Sequence, residues 1–256
     1  MNGETKLGVM SPTHPLRYRG AAAAILSVVL LGTSACAGEP QRDTRPDEIS
    51  AEAVDGVRSA SSVRVRMEQT GPEATDIDLT MDRGGRCAGR ITSADGTADI
   101  IKIGKTLWLK PDDRFWRTQL GDGAELPRAF ENRYLRGGTG HEQLRDMAAL
   151  CDLDGIHRAL AEEVGKGPFV WAKPVALEGE RAETVSGRAG SVVISTAGGG
   201  GTAEPGTSAP GTSGPVRFVQ RNADRNTVTT TFTDWNRPVT AKAPAPGASI
   251  DLARLS

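Results

Sequence analysis

The stretch Val63–Asp82 reads VRVRMEQTGPEATDIDLTMD. Val63, Val65 and Met67 alternate with Arg64, Arg66 and Glu68. After a Gly71-Pro72 turn, Ile77, Leu79 and Met81 alternate with Asp76, Asp78, Thr80 and Asp82. A period of two places successive side chains on opposite faces, so each half of the stretch is a strand with one apolar and one charged face. Two such strands joined by a Gly-Pro turn make an antiparallel pair, and the charged face marks a sheet covered on one side only.

Downstream the pattern repeats. Gly84-Gly85 turns the chain into a third strand with Cys87, Gly89 and Ile91 on one face. Asp95-Gly96 is a hairpin signal. Ala98–Ile103 is a fourth strand with Ile101 and Ile103 on one face, and Thr106–Lys110 a fifth. Pro111-Asp112-Asp113 turns it, with Phe115-Trp116-Arg117 beyond. Five strands with tight turns predict a meander. Upstream, Asp47 is placed to cap a helix from Glu48 to Ala60, with Ile49, Ala53, Val54 and Val57 at helical spacing.

From Glu125 to Val164 the period becomes helical. Leu126, Ala129, Phe130, Tyr134 and Leu135 fit one helix face, Leu144, Met147, Ala148 and Cys151 a second, and Ile156, Leu160 and Val164 a third. Strands return at Val170–Glu178, Arg181–Ser186, Ser191–Thr196, Val216–Asn222 and Thr227–Trp235. Pro174 predicts a bend or an edge position for the first of these. Residues 197–214, AGGGGTAEPGTSAPGTSG, cannot bury a core and read as a flexible insertion between two strands. Strands and helices come in runs without β-α-β alternation. The expected class is α+β, a single domain with an antiparallel sheet and helices on one face.

The N-terminus supplies an address. Arg17 and Arg19 precede an apolar run, Ala21–Leu31, broken only by Ser27, and small residues lead to Cys36. Eleven residues, ten of them apolar, are too few for a membrane span, which needs about 20; the pattern is that of a secretory signal peptide over residues 1–35. With Cys36 at the cleavage point it resembles a bacterial lipobox, although Thr33 stands where leucine is usual. That resemblance implies Cys36 as the acylated first mature residue. Residues 36–47 read as a disordered tether and 48–256 as the domain. Export permits a disulfide, and Cys87 with Cys151 is the pair that remains, closing a loop worth about 4 kcal/mol in the chain-entropy account. Net charge is −1, and −3 without residues 1–35, where Lys6, Arg17 and Arg19 face Glu4. Such a balance argues against nucleic acid as a partner.

A search for catalytic chemistry finds little. His141-Glu142-Gln143-Leu144-Arg145 begins like a zinc-protease motif, but Arg145 stands where the second histidine is needed. No G-x-S-x-G elbow is present. Asp76 and Asp78 point the same way from one strand and could serve acid/base work or a cation, though alternation makes them a solvated face. Asp152 and Asp154 sit at a helix start and read as capping residues. No catalytic residue, metal site or cofactor is expected.

Several passages taken together resemble a known family. These are the lipobox and tether, SASSVRVRMEQTG, DIDLTMDRGGRCAGRI, IIKIGKTLWLK with a nearby Phe-Trp, and the closing TFTDWNRPVTAKAPAPGASIDL. They resemble the actinobacterial lipoproteins of the LppX/LprG/LprA type and, more distantly, the carrier LolA. The resemblance spans Ser50–Leu252. It implies a strongly curved antiparallel half-barrel wrapped around a few helices, and a membrane-anchored, extracytoplasmic, non-enzymatic protein that binds or transfers acylated lipids or glycolipids. Candidate cavity positions are Ile77, Leu79, Met81, Ile91, Ile101, Ile103, Leu107 and Leu109 from the sheet, and Phe130, Leu144, Met147 and Leu160 from the helices. Strand parity near Leu107-Trp108-Leu109 is open, and the same residues would equally fill a closed core. In that second reading the protein is a surface lipoprotein that docks a membrane transporter or sensor.

Overall fold

The computed structural model describes residues 45–120, 130–188, 190–195, 214–221 and 226–254. They lie within one compact unit, Arg42–Ser256. The signal segment 1–35, Cys36, most of the expected tether and insertion residues 197–213 lie outside the described residues.

The chain opens with helix α1, Pro46–Ser59. A meander follows: β1 Ser62–Gln69, β2 Thr75–Asp82, β3 Arg86–Ser93, β4 Gly96–Ile103 and β5 Thr106–Pro111. Next come α2 Asp113–Leu120, β6 Tyr134–Gly138, α3 Arg145–Ala149 and α4 Leu153–Val164. A second meander runs through β7 Phe169–Leu177, β8 Glu180–Gly187, β9 Gly190–Ser195, β10 Val216–Arg221 and β11 Thr227–Thr233, and β12 Ser249–Asp251 closes the order.

All twelve strands belong to one curved, unclosed sheet in the order β12-β6-β5-β4-β3-β2-β1-β11-β10-β9-β8-β7. Neighbours are antiparallel except β12 and β6, which run parallel. The α+β class holds, with this one parallel pair at an edge as the departure. Two local meanders meet where β1 pairs with β11, Arg64 opposite Thr233 and Gln69 opposite Val228.

The register keeps the two faces apart. Val63 and Val65 stand opposite Met81 and Leu79, and those opposite Cys87 and Gly89. All but Gly89 are at most 2 % exposed. The apolar layer continues through Val185, Val192, Val216, Phe218 and Phe232, and is covered by Ala53, Val54 and Val57 of α1 and Leu153 and Leu160 of α4. Gly89 must be glycine: a Cβ there would sit 2.0 Å from the Asp78 carbonyl oxygen.

Three expected elements differ. The helix spanning Leu126–Leu135 does not form over its last residues: Tyr134 and Leu135 lie in β6, where Leu135 faces Leu109 across the ladder. Strand pairing with β5 and β12 overrides local helical spacing, because it satisfies backbone groups on both sides. Helix α2 occupies the segment after the Pro111 turn, which carried no helical reading; Asp112 Oδ1 accepts the Phe115 N–H at 2.8 Å and starts it. Helix α1 begins at Pro46, two residues ahead of the expected Glu48, so the end of the expected tether is helical. Proline is suited to this first position because its missing N–H would have no partner there. Asp47 is therefore inside the helix, and Glu48 Oε2 accepts the Arg45 N–H at 3.0 Å.

Two ties join distant segments. Cys87 and Cys151 form a disulfide across 64 residues, fastening β3 to the turn before α4. The Thr-Asp-Trp-Asn-Arg-Pro-Val passage forms a clasp. Asp234 and Asn236 take left-handed backbone angles, φ 52° and 59°. Asn236 Oδ1 accepts the Ser61 N–H at 2.8 Å, and the Asn236 N–H donates to the Ser62 carbonyl at 2.8 Å. Trp235 stacks on Phe232 with ring centroids 6.0 Å apart.

Replacing Cys87 and Cys151 together with alanine is expected to lower the unfolding free energy by about 4 kcal/mol, the chain-entropy value for a loop of this length. Urea unfolding followed by far-ultraviolet circular dichroism measures it.

Candidate functional site

The sheet face that carries the apolar layer is closed by α1 and α4, and α4 sets the geometry. Leu153, Ile156, Leu160 and Val164 recur at three- and four-residue spacing and turn one stripe toward the sheet. The N-terminal end of α4 is held twice. The disulfide ends at Cys151, two residues before the helix, and the Arg83 guanidinium pairs with Asp154. Arg83 Nε also donates to the Ala60 carbonyl at 2.8 Å and Nη2 to the Val57 carbonyl at 3.0 Å, so one side chain joins the last turn of α1 to the first of α4. Asp154 is thus an ion-pair partner, and Asp152 makes no side-chain capping bond. The capping expectation for both fails because an arginine at 3.4 Å, Arg158, and Arg83 take these carboxylates instead.

At the other end of α4 lies an apolar seam. Leu160, Glu163 and Val164 of the helix face Phe169 of β7, Gly190–Val192 of β9 and Phe218–Gln220 of β10. The void here measures about 20 Å³, room for about one water molecule. Gly190 permits the close approach of β9 to β10: a Cβ would lie 2.0 Å from the Val219 carbonyl oxygen. Asp47 completes this end. Its Oδ1 accepts the Phe169 N–H at 2.8 Å, so the first turn of α1 is bonded to the first residue of β7.

The candidate cavity residues divide. Leu79, Met81, Leu107, Leu109, Leu144 and Leu160 are core residues, as is Ile77, and Ile91 and Met147 pack against them from its rim. This settles the open parity at β5: Leu107 and Leu109 point in and Trp108 does not. Ile101 and Ile103 are corrections. Ile100, fully buried, is the inward residue of β4, and it faces Leu109 across the ladder. Three isoleucines within four residues, Ile100, Ile101 and Ile103, gave no clean alternation by which to choose. Phe130 is also corrected. It lies in a turn and meets Trp116 edge-on with centroids 5.7 Å apart, outside the core cluster. The seam residues Phe169, Val192 and Phe218 were missed, and the alternation of β9 and β10 was the available signal.

Across β1–β5 the opposite sheet face is polar, whereas at β7–β9 it buries a small apolar cluster, Leu177, Ala182 and Val193. Arg66, Asp78, Arg90, Asp99 and Lys110 stand directly opposite one another across five strands. Arg64 grips Asp78 with two bonds, Nε to Oδ1 at 2.8 Å and Nη2 to Oδ2 at 2.6 Å. Arg66 adds a third at 3.3 Å, and Arg90 Nε donates to Asp99 Oδ1 at 2.8 Å. Arg64, Arg66, Asp78, Arg90 and Asp99, with Met67, Ile77 and Ala88, line a trough of about 650 Å³. The Asp76/Asp78 pair is split by this arrangement, since Asp78 is committed to two arginines. The described residues contain no cluster of three or more metal-ligating side chains.

No family model matches the chain, and no curated protein matches it. Solved structures do. LprF from Mycobacterium bovis aligns with a TM-score of 0.50 at 17% identity, covering 78% of this chain and 97% of that one. The chain has the fold of LprF. The lipoprotein LppX from Mycobacterium tuberculosis aligns with a TM-score of 0.46 at 12% identity, covering 77% of this chain and 98% of that one. The likeness to the LppX/LprG/LprA type read from the sequence therefore holds for the fold. No helix among the described residues is long and apolar enough to cross a membrane.

The Arg64 guanidinium, with its two bonds, holds the Asp78 carboxyl below its ordinary value, and Arg66 adds to this. A depressed carboxyl contributes stability above its unfolded pKa and loses it as pH falls through the folded one. Asp78→Asn is expected to cost about 1 kcal/mol near neutral pH, the upper range for a half-exposed pair. The gap between wild type and variant should shrink below about pH 4. Urea unfolding at stepped pH measures it.

Proposed function

We propose that this chain is a lipid-anchored, extracytoplasmic lipoprotein that binds or transfers an acylated lipid or glycolipid between its sheet and its helices. The observation that carries the reading is the apolar seam between the C-terminal half of α4 and the sheet, in a chain with the LprF fold. The lipobox-like segment and Cys36 support the anchor, and the family resemblance supports the ligand class.

Binding sites for molecules of this size hold about 300–1,000 Å³. The seam holds about 20 Å³. Uptake on this reading needs α4 to swing away from β9 and β10. The fixed points decide how: the helix is pinned at Cys151 and Asp154, so the free movement is at Val164, and the seam opens from that end. Each acyl methylene buried in the opened seam contributes about 0.8 kcal/mol toward offsetting the contacts α4 gives up.

The closed seam favours a second reading. A filled core suits a surface lipoprotein that docks a transporter or sensor in the membrane. Native mass spectrometry of residues 37–256, before and after organic extraction, separates the two. The carrier reading expects an added mass that extracts as an acylated lipid. A bare mass, together with no uptake of a fluorescent fatty acid, leaves the docking protein.

On the carrier reading, Val164→Arg places a charge in the seam. Fatty-acid uptake is expected to fall at least about tenfold, because an unpaired charge in an apolar site is strongly disfavoured. The circular dichroism spectrum should be unchanged, since Val164 is only half-buried. Unaltered uptake would remove the seam from the reading.

A further inference from the structure

The seam lies at the end of the domain where the described chain begins. The described chain starts at Arg45, and two residues later Asp47 accepts the Phe169 N–H. Phe169 lines the seam, and Gly167 sits beside the same Asp47 carboxylate, where a Cβ would lie 3.7 Å from Oδ1. The expected acylation site, Cys36, precedes Arg45 by nine residues. Nine residues reach at most about 30 Å when fully extended. A chain of this size folds to a diameter of about 40 Å. The tether is thus shorter than the domain, and the end where α1 starts, α4 stops and β7 begins is kept toward the bilayer.

That end is built for a lipid surface. Strand β7 is an outer edge of the sheet. Val170 and Val175 on it are the exposed large hydrophobics of the described residues, at 63% and 43%. Pro168 and Ala176 beside them are exposed as well. Lys173, and Lys166 in its ion pair with Glu163, flank them, both exposed, and cations beside a small apolar rim suit the interface of an anionic membrane. Pro174 and a register shift between Ala172 and Val175 interrupt the ladder, so β7 is a poor template for a strand from another chain. A bilayer needs no such ladder.

We infer that the β7 edge, led by Val170 and flanked by Lys166 and Lys173, is the membrane-docking surface, and that the seam opens directly onto the bilayer. This rests on the proposed anchor and deepens the carrier reading by giving the route of the ligand: an acyl chain passes between membrane and seam without crossing water.

The test uses the full acylated chain on vesicles of phosphatidylcholine and phosphatidylglycerol. Amide hydrogen exchange is compared with that of the same chain released by cleavage in the tether. Amides of residues 166–176 are expected to slow about fivefold or more on vesicles, an effect confined to that edge. Val170→Asp should abolish the slowing. Lys105→Asp, in the turn between β4 and β5 at the disulfide end, should leave it intact. Uptake of a fluorescent fatty acid from solution, measured on the same variants, should be the same for Val170→Asp as for wild type. Slowing without fatty-acid uptake upholds the docking surface and rejects the carrier reading. Uptake without slowing rejects the docking surface alone. Slowing that grows with protein density and persists without lipid means pairing of two β7 edges and overturns the inference. A chain that does not float with vesicles overturns the anchor and this orientation together.

Discussion

A sheet with helices over one face alone must keep its two faces chemically distinct along every strand. In this protein the separation is carried across strands as well as along them. Arg66, Asp78, Arg90, Asp99 and Lys110 form one row of alternating charge over five strands, and the neighbouring inward rows hold Leu79, Ile100 and Leu109. A slip of one residue in any pairing would break the charge row and turn the apolar set outward at once. Each ion pair is half-exposed and adds little to stability. Their value is in register, because in the slipped alignment each charge would lose its partner, Arg66 standing opposite Ile77 or Leu79 and Arg90 opposite Ala98 or Ile100.

How much of this is legible in the sequence follows from where the period is clean. Val63–Met67 and Ile77–Met81 alternate strictly, and both strands formed with the expected faces. Cys87, Gly89 and Ile91 did likewise. In β4 three isoleucines within four residues left the parity undetermined, and Ile101 and Ile103 were assigned to the wrong side. The Phe130–Leu135 segment carried helical spacing but became a turn and a strand, because β5 and β12 offered partners for its backbone, which no local pattern reports.

The site was less legible than the fold. Its apolar composition was apparent, and Leu160 was among the candidates. Its position was not, because it depends on Asp47 meeting Phe169 across 122 residues. A carboxylate ahead of an apolar run reads locally as a cap. In the folded chain Glu48 bonds the Arg45 N–H, and that leaves Asp47 free to bond β7. Arg83 is similar: nothing in its neighbourhood predicts that it will join the last turn of α1 to the first of α4.

The junction of β1 with β11 has a consequence in time. Strands β1–β5 and β7–β11 are each a run of hairpins whose partners are close in sequence, so each half-sheet can zip up within microseconds of collapse. Their joint pairs Arg64 with Thr233, which needs nearly the whole chain to be present. Such distant closure is slow. The Asn236 clasp, which bonds Ser61 and Ser62, lies just past β11 and cannot form until that closure occurs. A chain of this topology has no continuous core until its last strands arrive, so its two half-sheets must each persist unclosed until the C-terminal strands are in place.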